Sequence, residues 1–475
     1  MSSLDLSLFP DGPASVYRMG HTMLAREGVL FLDPAAPVGE SQRQIPCTLF
    51  PSPLSSTHYK SVLDMQPMIN TLYRRVSRDY MFLESTLQSV LGDEFIKRLW
   101  EICVHTQAAR NTRSAVGLLR SDYMLHCSGH ECSMKQVEVN TISVSLATMS
   151  QRVQIAHKHI SAVFKRTPAP PLNQAAERTA DLLALANLEY IHTVPEAQTT
   201  SILIVVTEND TNFYDQNYMM ALLQSEQHLP VIRKDLEELV RCMRVVDRRI
   251  FIGDTEISVC YYRIGYDPSH YSEDVWRVRA MLEGSKALQI PDVAMQLCGT
   301  KRMQQRLTDP ETLDKFLWDS SKEERNKLMN LFAKQFSLCN SPEGDQMAKD
   351  GITHPDLWVL KPQREGGGNN YFGQELVDML KRLEGKEERG AYILMERLRA
   401  PLTPNYLISP RHNKDCLELT NTIQEIGVFG FYIARGDKLS HDVTAGYLVR
   451  SKGAQTEDGG VSSGRAYMDS LDLVD

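Results

Sequence analysis

The run Ser201-Ile202-Leu203-Ile204-Val205-Val206-Thr207 limits the fold more than any other stretch of the chain. It has no polar face, so it is expected to be a parallel strand covered on both sides. A helical pattern follows from Tyr214, then a short strand at Val231-Ile232 and a helix from Asp235. Arg249 to Ile252, the Gly253-Asp254 turn and Glu256 to Arg263 read as a hairpin. A helix from Glu273 is expected to close the segment near Ile290. This alternation predicts an α/β domain, residues 199–291, inserted between two other parts, 1–198 and 292–475.

The flanks have a different texture. Residues 1–60 are rich in Pro and Ser and read as loops with short helices. From Ser61 to Gln107 apolar residues recur at spacings of three and four (Leu63, Met65, Met68, Ile69, Leu72, Tyr73), which predicts core-facing helix. Gly117 to Leu125, the Ser128-Gly129 turn and Lys135 to Ile142 predict two neighbouring strands. Asn173 is a candidate helix cap, with Leu182, Leu183, Leu185 and Leu188 on the buried face. Helices are expected from Pro291 to Leu338, and strands at Leu357–Lys361 and Ala391–Leu398. The last hundred residues read as strands and loops.

The 475 residues carry a net charge of −8, which makes nucleic acid a poor partner. No apolar run is long enough to span a bilayer. Met1 to Pro13 lacks the basic and apolar regions of a secretory leader. Nine cysteines, scattered from Cys47 to Cys416 without a C-x-x-C, are expected to be reduced thiols in a cytoplasmic protein.

The strongest chemical motif is Lys361-Pro362-Gln363-Arg364-Glu365-Gly366-Gly367-Gly368-Asn369-Asn370. Three glycines after a strand let backbone N–H groups approach an anion, and the lysine adds a point charge. It is neither a P-loop nor a dinucleotide fingerprint; with its charged and amide residues it reads as a loop covering phosphates. In Gln136-Val137-Glu138-Val139-Asn140, strict alternation would put Gln136, Glu138 and Asn140 on one face, where a carboxylate and an amide oxygen suit a hard cation such as Mg²⁺. Glu365 is the natural second carboxylate. Arg120, Arg263 and Arg450 sit at element ends, where guanidinium forks suit carboxylates. His126, Cys127, His130 and Cys132 lie close together, but their spacing fits no closed zinc pattern.

Arg120-Ser121-Asp122-Tyr123-Met124, Gln136 to Ser143 and Val359 to Asn370 resemble eukaryotic-type glutathione synthetases. Shorter matches occur in the family's order: Phe50-Pro51, Asp215-Gln216, Gly299-Thr300-Lys301, Leu394-Met395-Glu396, Glu425 to Gly430 and Asp458 to Val461. The resemblance spans nearly the whole chain. It implies an ATP-grasp fold of α+β lobes, with the α/β insertion binding substrate and a glycine-rich lid. It also implies an ATP-dependent ligase that joins γ-glutamylcysteine to glycine through an acyl phosphate, in a homodimer with Mg²⁺.

By the same resemblance, Glu138, Asn140 and Glu365 would hold Mg²⁺. Lys301, Lys361, Gly366, Gly367, Gly368, Asn369, Asn370 and Phe372 would contact the ATP phosphates or cover them. Met395, Glu396, Arg397, Leu398, Glu425, Lys452 and Asp458 would make the other nucleotide contacts. Arg120, Ser143, Ser145, Asp210, Asn212, Gln216, Arg263, Tyr266 and Arg450 would contact the dipeptide, and Val461 and Ser462 the acceptor. Arg364 is the candidate to steady the transferring phosphoryl group, with Arg120 and Arg450 as its catalytic partners. Two departures stand out. Phe372 replaces a tyrosine found in many relatives, and the closing loop reads Gly459-Gly460-Val461-Ser462-Ser463-Gly464 where Gly-Gly-Val-Ala-Ala-Gly is usual. Relatives that use another acceptor differ in this loop, so serine or β-alanine is the alternative acceptor; a catalytically silent nucleotide-binding protein is the remaining alternative.

Overall fold

The computed structural model describes residues 12–33, 42–129, 131–364, 369–410, 417, 419–457 and 459–475. Its centre is a seven-stranded sheet in the order Thr403–Ile408, Cys47–Thr48, Tyr467–Asp469, Lys438–Gly453, Leu419–Arg435, Ala115–Ser128 and Glu131–Asn140. All neighbours are antiparallel except the pair Tyr467–Asp469 with Cys47–Thr48. Period-two alternation along Leu419–Arg435 divides the core. Phe429, Phe431 and Ile433 pack under the helices Pro13–Arg26, Ala147–Val163 and Ala175–Thr193. Ile426, Val428, Tyr432 and Ala434 pack on the opposite side, against Ser56–Val76, Glu94–His105 and Val293–Cys298. Burial on both faces is what makes Ile426 to Ala434 of this strand apolar throughout.

The predicted strand at 201–207 is Thr200–Val205, buried throughout. It lies in a six-stranded sheet, parallel to Val231–Lys234 and Thr255–Tyr262, with Leu288–Ile290 parallel on the far side of the latter. Two further strands, Arg249–Ile252 and Met243–Val246, complete it as a meander. The helix expected to run from Glu273 to Ile290 stops at Glu283, and Leu288–Ile290 is a strand. Ser272 starts that helix by accepting the Val275 N–H, and Gly284 ends it.

A third, three-stranded sheet joins Gln335–Ser337, Tyr392–Glu396 and Trp358–Pro362 under the helices Pro342–Thr353 and Gly373–Arg382. It carries the start of the glycine loop.

Three expectations need correction. Cys127 and Cys132 face each other across the hairpin and form a disulfide, so these two sulfurs are neither reduced thiols nor zinc ligands; Cys47, Cys103, Cys242, Cys260, Cys298 and Cys339 are unpaired. Leu188 is exposed, because the helix Ala175–Thr193 turns it away from Leu182 and Leu183. Asn173 lies one residue before the helix cap, yet its Oδ1 still accepts the Ala175 N–H at 3.3 Å while its Nδ2 donates to the Tyr447 carbonyl. It ties the helix start to the central sheet rather than simply ending it. No helix among the described residues is long and apolar enough to cross a membrane.

Candidate functional site

Register across the central sheet collects the charged residues. Arg120 lies opposite Asn140, Asp122 opposite both Glu138 and Gly427, and Glu425 opposite Arg450. All face one side. Asp122 is fully buried and is the hub. It accepts Nε and Nη2 of Arg120 at 2.7 and 2.8 Å, Nη2 of Arg450 at 2.9 Å and Nδ2 of Asn140 at 2.8 Å. Arg450 also donates to Glu425. Gly427 makes room for this: a Cβ there would stand 2.6 Å from Asp122 Oδ1 and 2.7 Å from Arg120 Cδ.

Glu138 occupies the outer side of the hub. Lys301, at the start of the helix Lys301–Leu307, donates to its Oε2 at 3.0 Å. Lys361, on Trp358–Pro362, donates to the carbonyl of Val137 at 3.2 Å. Burial opposes charge on Glu138, but Lys301, Lys361 and Arg450 outweigh it and hold the carboxyl well below the usual range. Glu425 goes the other way. Burial pushes it up and Arg450 pulls it down, and Asp122 and Glu138 repel its charge. Arg450 gains proton affinity from Glu425, Asp122 and Glu138 in spite of burial.

Gln136 does not share this face. The pairing shifts between Asp122 and Tyr123, so Glu138 lies opposite Asp122 and Gln136 opposite Tyr123. This bulge inserts one residue, turns Gln136 toward the core and breaks the alternation on which its placement rested. Its Nε2 donates to the buried Tyr123 hydroxyl at 3.4 Å.

Along the glycine loop, Glu365, Gly366, Gly367 and Gly368 lie outside the described residues, as do Asp458 and His130. Arg364 donates to the carboxylate of Asp93, the cap of the helix Glu94–His105, and to the Gln363 carbonyl. Arg364, Asn369, Asn370, Asp93 and Tyr392 line a cavity of about 390 Å³. Phe372 precedes the helix Gly373–Arg382, and the Arg397 guanidinium stands 5.6 Å from its ring. Met395 is buried between Gln335 and Val359, whereas Leu398 is half-buried. Glu396 accepts the Lys334 N–H at 2.8 Å. Glu457 binds Arg397 through its side chain and Lys452 through its carbonyl.

The remaining predicted residues gather at the carboxyl ends of the parallel strands, where α/β sheets bind ligands. Arg263 follows Thr255–Tyr262 and donates to Asp215 at 2.9 Å, both buried. Its carbonyl accepts the Ser143 hydroxyl at 2.6 Å, with Ser145 half-buried two residues on. Asp215 also accepts the N–H groups of Leu146 and Thr148, fixing the start of the helix Ala147–Val163. Asp210 accepts the Asn212 N–H at 2.8 Å and Gln216 Nε2 at 2.6 Å. Tyr266 is half-buried, its ring edge-on to His270. Tyr261 links the two halves: burial pushes its hydroxyl up, while Arg263 and Arg120 both draw it down. Of the closing-loop pair, Val461 packs in the core and Ser462 is exposed, its carbonyl accepting Arg43 Nη2 at 3.2 Å.

Asp122, Asp215 and Gly427 are the members that sequence reasoning left out. Arg120-x-Asp122 on a strand puts both side chains on one face, and that spacing was the signal for the first.

The family profile described as "Eukaryotic glutathione synthase, ATP binding domain" matches residues 14–473. The chain belongs to the eukaryotic glutathione synthase family. It is therefore an ATP-dependent ligase of glutathione synthesis with an ATP-grasp fold. Glutathione synthetase from Bos taurus is 35% identical over 460 residues, covering 93% of each chain. The chloroplastic glutathione synthetase of Arabidopsis thaliana is 34% identical over 442 residues, covering 90% of this chain and 78% of the plant one. A glutathione synthetase-like effector from Globodera pallida, solved in its apo form, superposes with a TM-score of 0.76 at 20% identity over 97% of each chain. At that identity the likeness speaks for the fold alone.

Proposed function

We propose that this glutathione synthase joins γ-glutamylcysteine to glycine at the cluster centred on Asp122, through an acyl phosphate made with ATP. The observation that carries the reading is Glu138 held ionised between Lys301 and Lys361, on the face that also presents Arg120 and Arg450. Such chemistry brings a carboxylate and a triphosphate together, so cations must neutralise both.

The donor set suits Mg²⁺. Asn140 Nδ2 is bound to Asp122, which leaves its amide oxygen available, and Glu138 lies on the same face of the sheet. Glu138 and Asn140 would hold the ion, with Glu365 as the further carboxylate, and the ion would neutralise phosphate charge. Lys301 and Lys361 bind phosphate oxygens. Arg364 leaves Asp93 to reach the transferring group. Asn369, Asn370 and Phe372 lie under the phosphates, and Met395 to Leu398, Glu425, Lys452 and Asp458 contact the rest of the nucleotide. Arg120, Arg450, Arg263, Tyr266, Ser143, Ser145, Asp210, Asn212 and Gln216 orient the dipeptide. Val461 and Ser462 border the acceptor, Val461 through its backbone.

In this reading the segments 1–198 and 292–475 form the ATP-grasp core and 199–291 the substrate domain. The protein works as a homodimer, and six unpaired cysteines among the described residues, against one disulfide, favour the cytoplasm. The test is phosphate release with Mg²⁺–ATP and γ-glutamylcysteine, comparing glycine, serine and β-alanine. Preference for glycine is expected; preference for another amine moves the acceptor assignment to Ser462 and Ser463. No dipeptide-dependent release overturns the reading.

A further inference from the structure

The side-chain amide of Gln216 has two chemically opposite ends, so the end that faces the site decides what it recognises. Its Oε1 accepts Nη2 of Arg233 at 2.7 Å, and its Nε2 donates to Asp210 Oδ2 at 2.6 Å. An arginine can only donate and an ionised aspartate can only accept. The two partners together therefore permit one amide orientation, with the carbonyl toward Arg233 and the NH₂ toward Asp210. That NH₂ keeps a second hydrogen.

Arg233 is itself held in place. It sits on Val231–Lys234, level with Ile204 of the neighbouring parallel strand, and its guanidinium lies 4.8 Å from the Phe213 ring. Phe213 opens the helix that carries Gln216, so the stacking clamps Arg233 to the same turn. Three buried polar atoms in these residues have no partner among the described ones: Nε of Arg233, Nε of Arg263 and Oδ1 of Asn212. Buried polar groups are normally satisfied, so these three orphans leave hydrogen bonding that a ligand can complete. Two donors and one acceptor match the α-carboxylate and α-ammonium of an amino-acid head group.

We infer that Arg233 is a positioning residue for the dipeptide, locking the Gln216 amide so that it presents N–H, not C=O, to the α-carboxylate of the γ-glutamyl end. This rests on the proposed placement of the dipeptide beside Asn212 and Gln216. Without Arg233 the amide carbonyl loses its donor, Asp210 alone holds the orientation, and the N–H is aimed less firmly at the carboxylate. The effect falls on dipeptide binding and leaves the nucleotide and the acceptor alone.

The experiment is steady-state kinetics of the full chain with Arg233→Met, Arg233→Lys and Gln216→Ala, each with its melting temperature. Arg233→Met is expected to raise the KM for γ-glutamylcysteine about tenfold, the size of one charge-assisted hydrogen bond, with kcat and the KM for ATP and glycine within about twofold. Arg233→Lys keeps a donor and recovers most of the loss. With 4-aminobutanoyl-cysteine, which lacks the α-carboxylate, wild type and Arg233→Met should show equal KM values. An unchanged dipeptide KM in Arg233→Met, beside a raised one in Gln216→Ala, overturns the positioning role. No effect in Gln216→Ala overturns the dipeptide placement itself. A melting temperature that falls together with every kinetic constant, unrescued by lysine, makes Arg233 structural and overturns the inference too.

Discussion

Glu283 and Glu138 are both carboxylates set among cations, yet they are finished in different ways. Glu283 is fully buried between Arg113, at 2.9 Å from Oε1, and Arg279, at 3.0 Å from Oε2. The Val293 N–H also reaches Oε2. The two arginines spend other donors on the carbonyls of Glu283 and Ser285, the Tyr262 hydroxyl and Gln296. These partners come from three separated stretches of chain, so the cluster bolts the six-stranded sheet's helix to the rest. Glu138 keeps 24% of its side chain exposed, and its nearest cations are lysines, point charges on flexible stems. In one cluster both carboxylate oxygens are satisfied by groups the fold supplies. The other leaves a partly exposed carboxylate beside its lysines.

Breaking the closed cluster should have the largest effect. Glu283→Gln leaves two buried guanidiniums without their anion and should destabilise the protein by about 3–5 kcal/mol, read as a large drop in melting temperature. A change of only a degree or two would remove the distinction between the clusters. Glu138→Gln should do the reverse. Dipeptide-dependent ATP turnover should fall roughly 100-fold or more, because the proposed Mg²⁺ site loses a charged ligand, while the melting temperature moves little. Normal turnover would sink the metal assignment.

The disulfide sharpens the comparison from another side. It lies toward the turn end of the hairpin that carries Asp122 and Glu138. Replacing Cys127 and Cys132 by serine reopens a very short loop and should cost no more than about 2 kcal/mol, with turnover unchanged. Lost activity with retained stability would mean that the cross-link, and not the charges, sets the cluster.

Asp442 gives the smallest effect and the opposite sign. It accepts Asn70 Nδ2 at 2.7 Å, and Arg74 acts on it only at a distance; burial raises its pKa from 3.8 to about 6. The folded protein therefore binds this proton more tightly than the unfolded chain. The stability it contributes is complete below about pH 4 and is lost as pH rises through about 6. Asp442→Asn should raise stability at pH 7 by about 1 kcal/mol, discounted for partial exposure, and change nothing below pH 4. Melting curves at the two pH values check it.

Much of the proposed site rests on chemistry that is local in sequence. The residues from Lys361 to Asn370 suggest a phosphate loop by composition, and Thr200–Val205 announces a buried parallel strand by lacking a polar face. Gln136 was misplaced because a bulge costs little and leaves no trace in a period-two pattern. The Cys127–Cys132 pair was missed because opposition across a hairpin depends on register.

Taken alone, the sequence determined most element types, the buried parallel strand at Thr200–Val205 and most of the candidate charged residues, since periodicity, glycine and side-chain chemistry are properties of neighbouring residues. Only the tertiary structure decided which charges share a partner. Asp122 meets Arg450, 328 residues away, because antiparallel register and the missing Cβ of Gly427 bring them to one face. Arg233 meets Gln216 because a parallel strand ends beside the start of the helix before it. Distances between remote segments depend on sheet order and packing, and no local pattern encodes those.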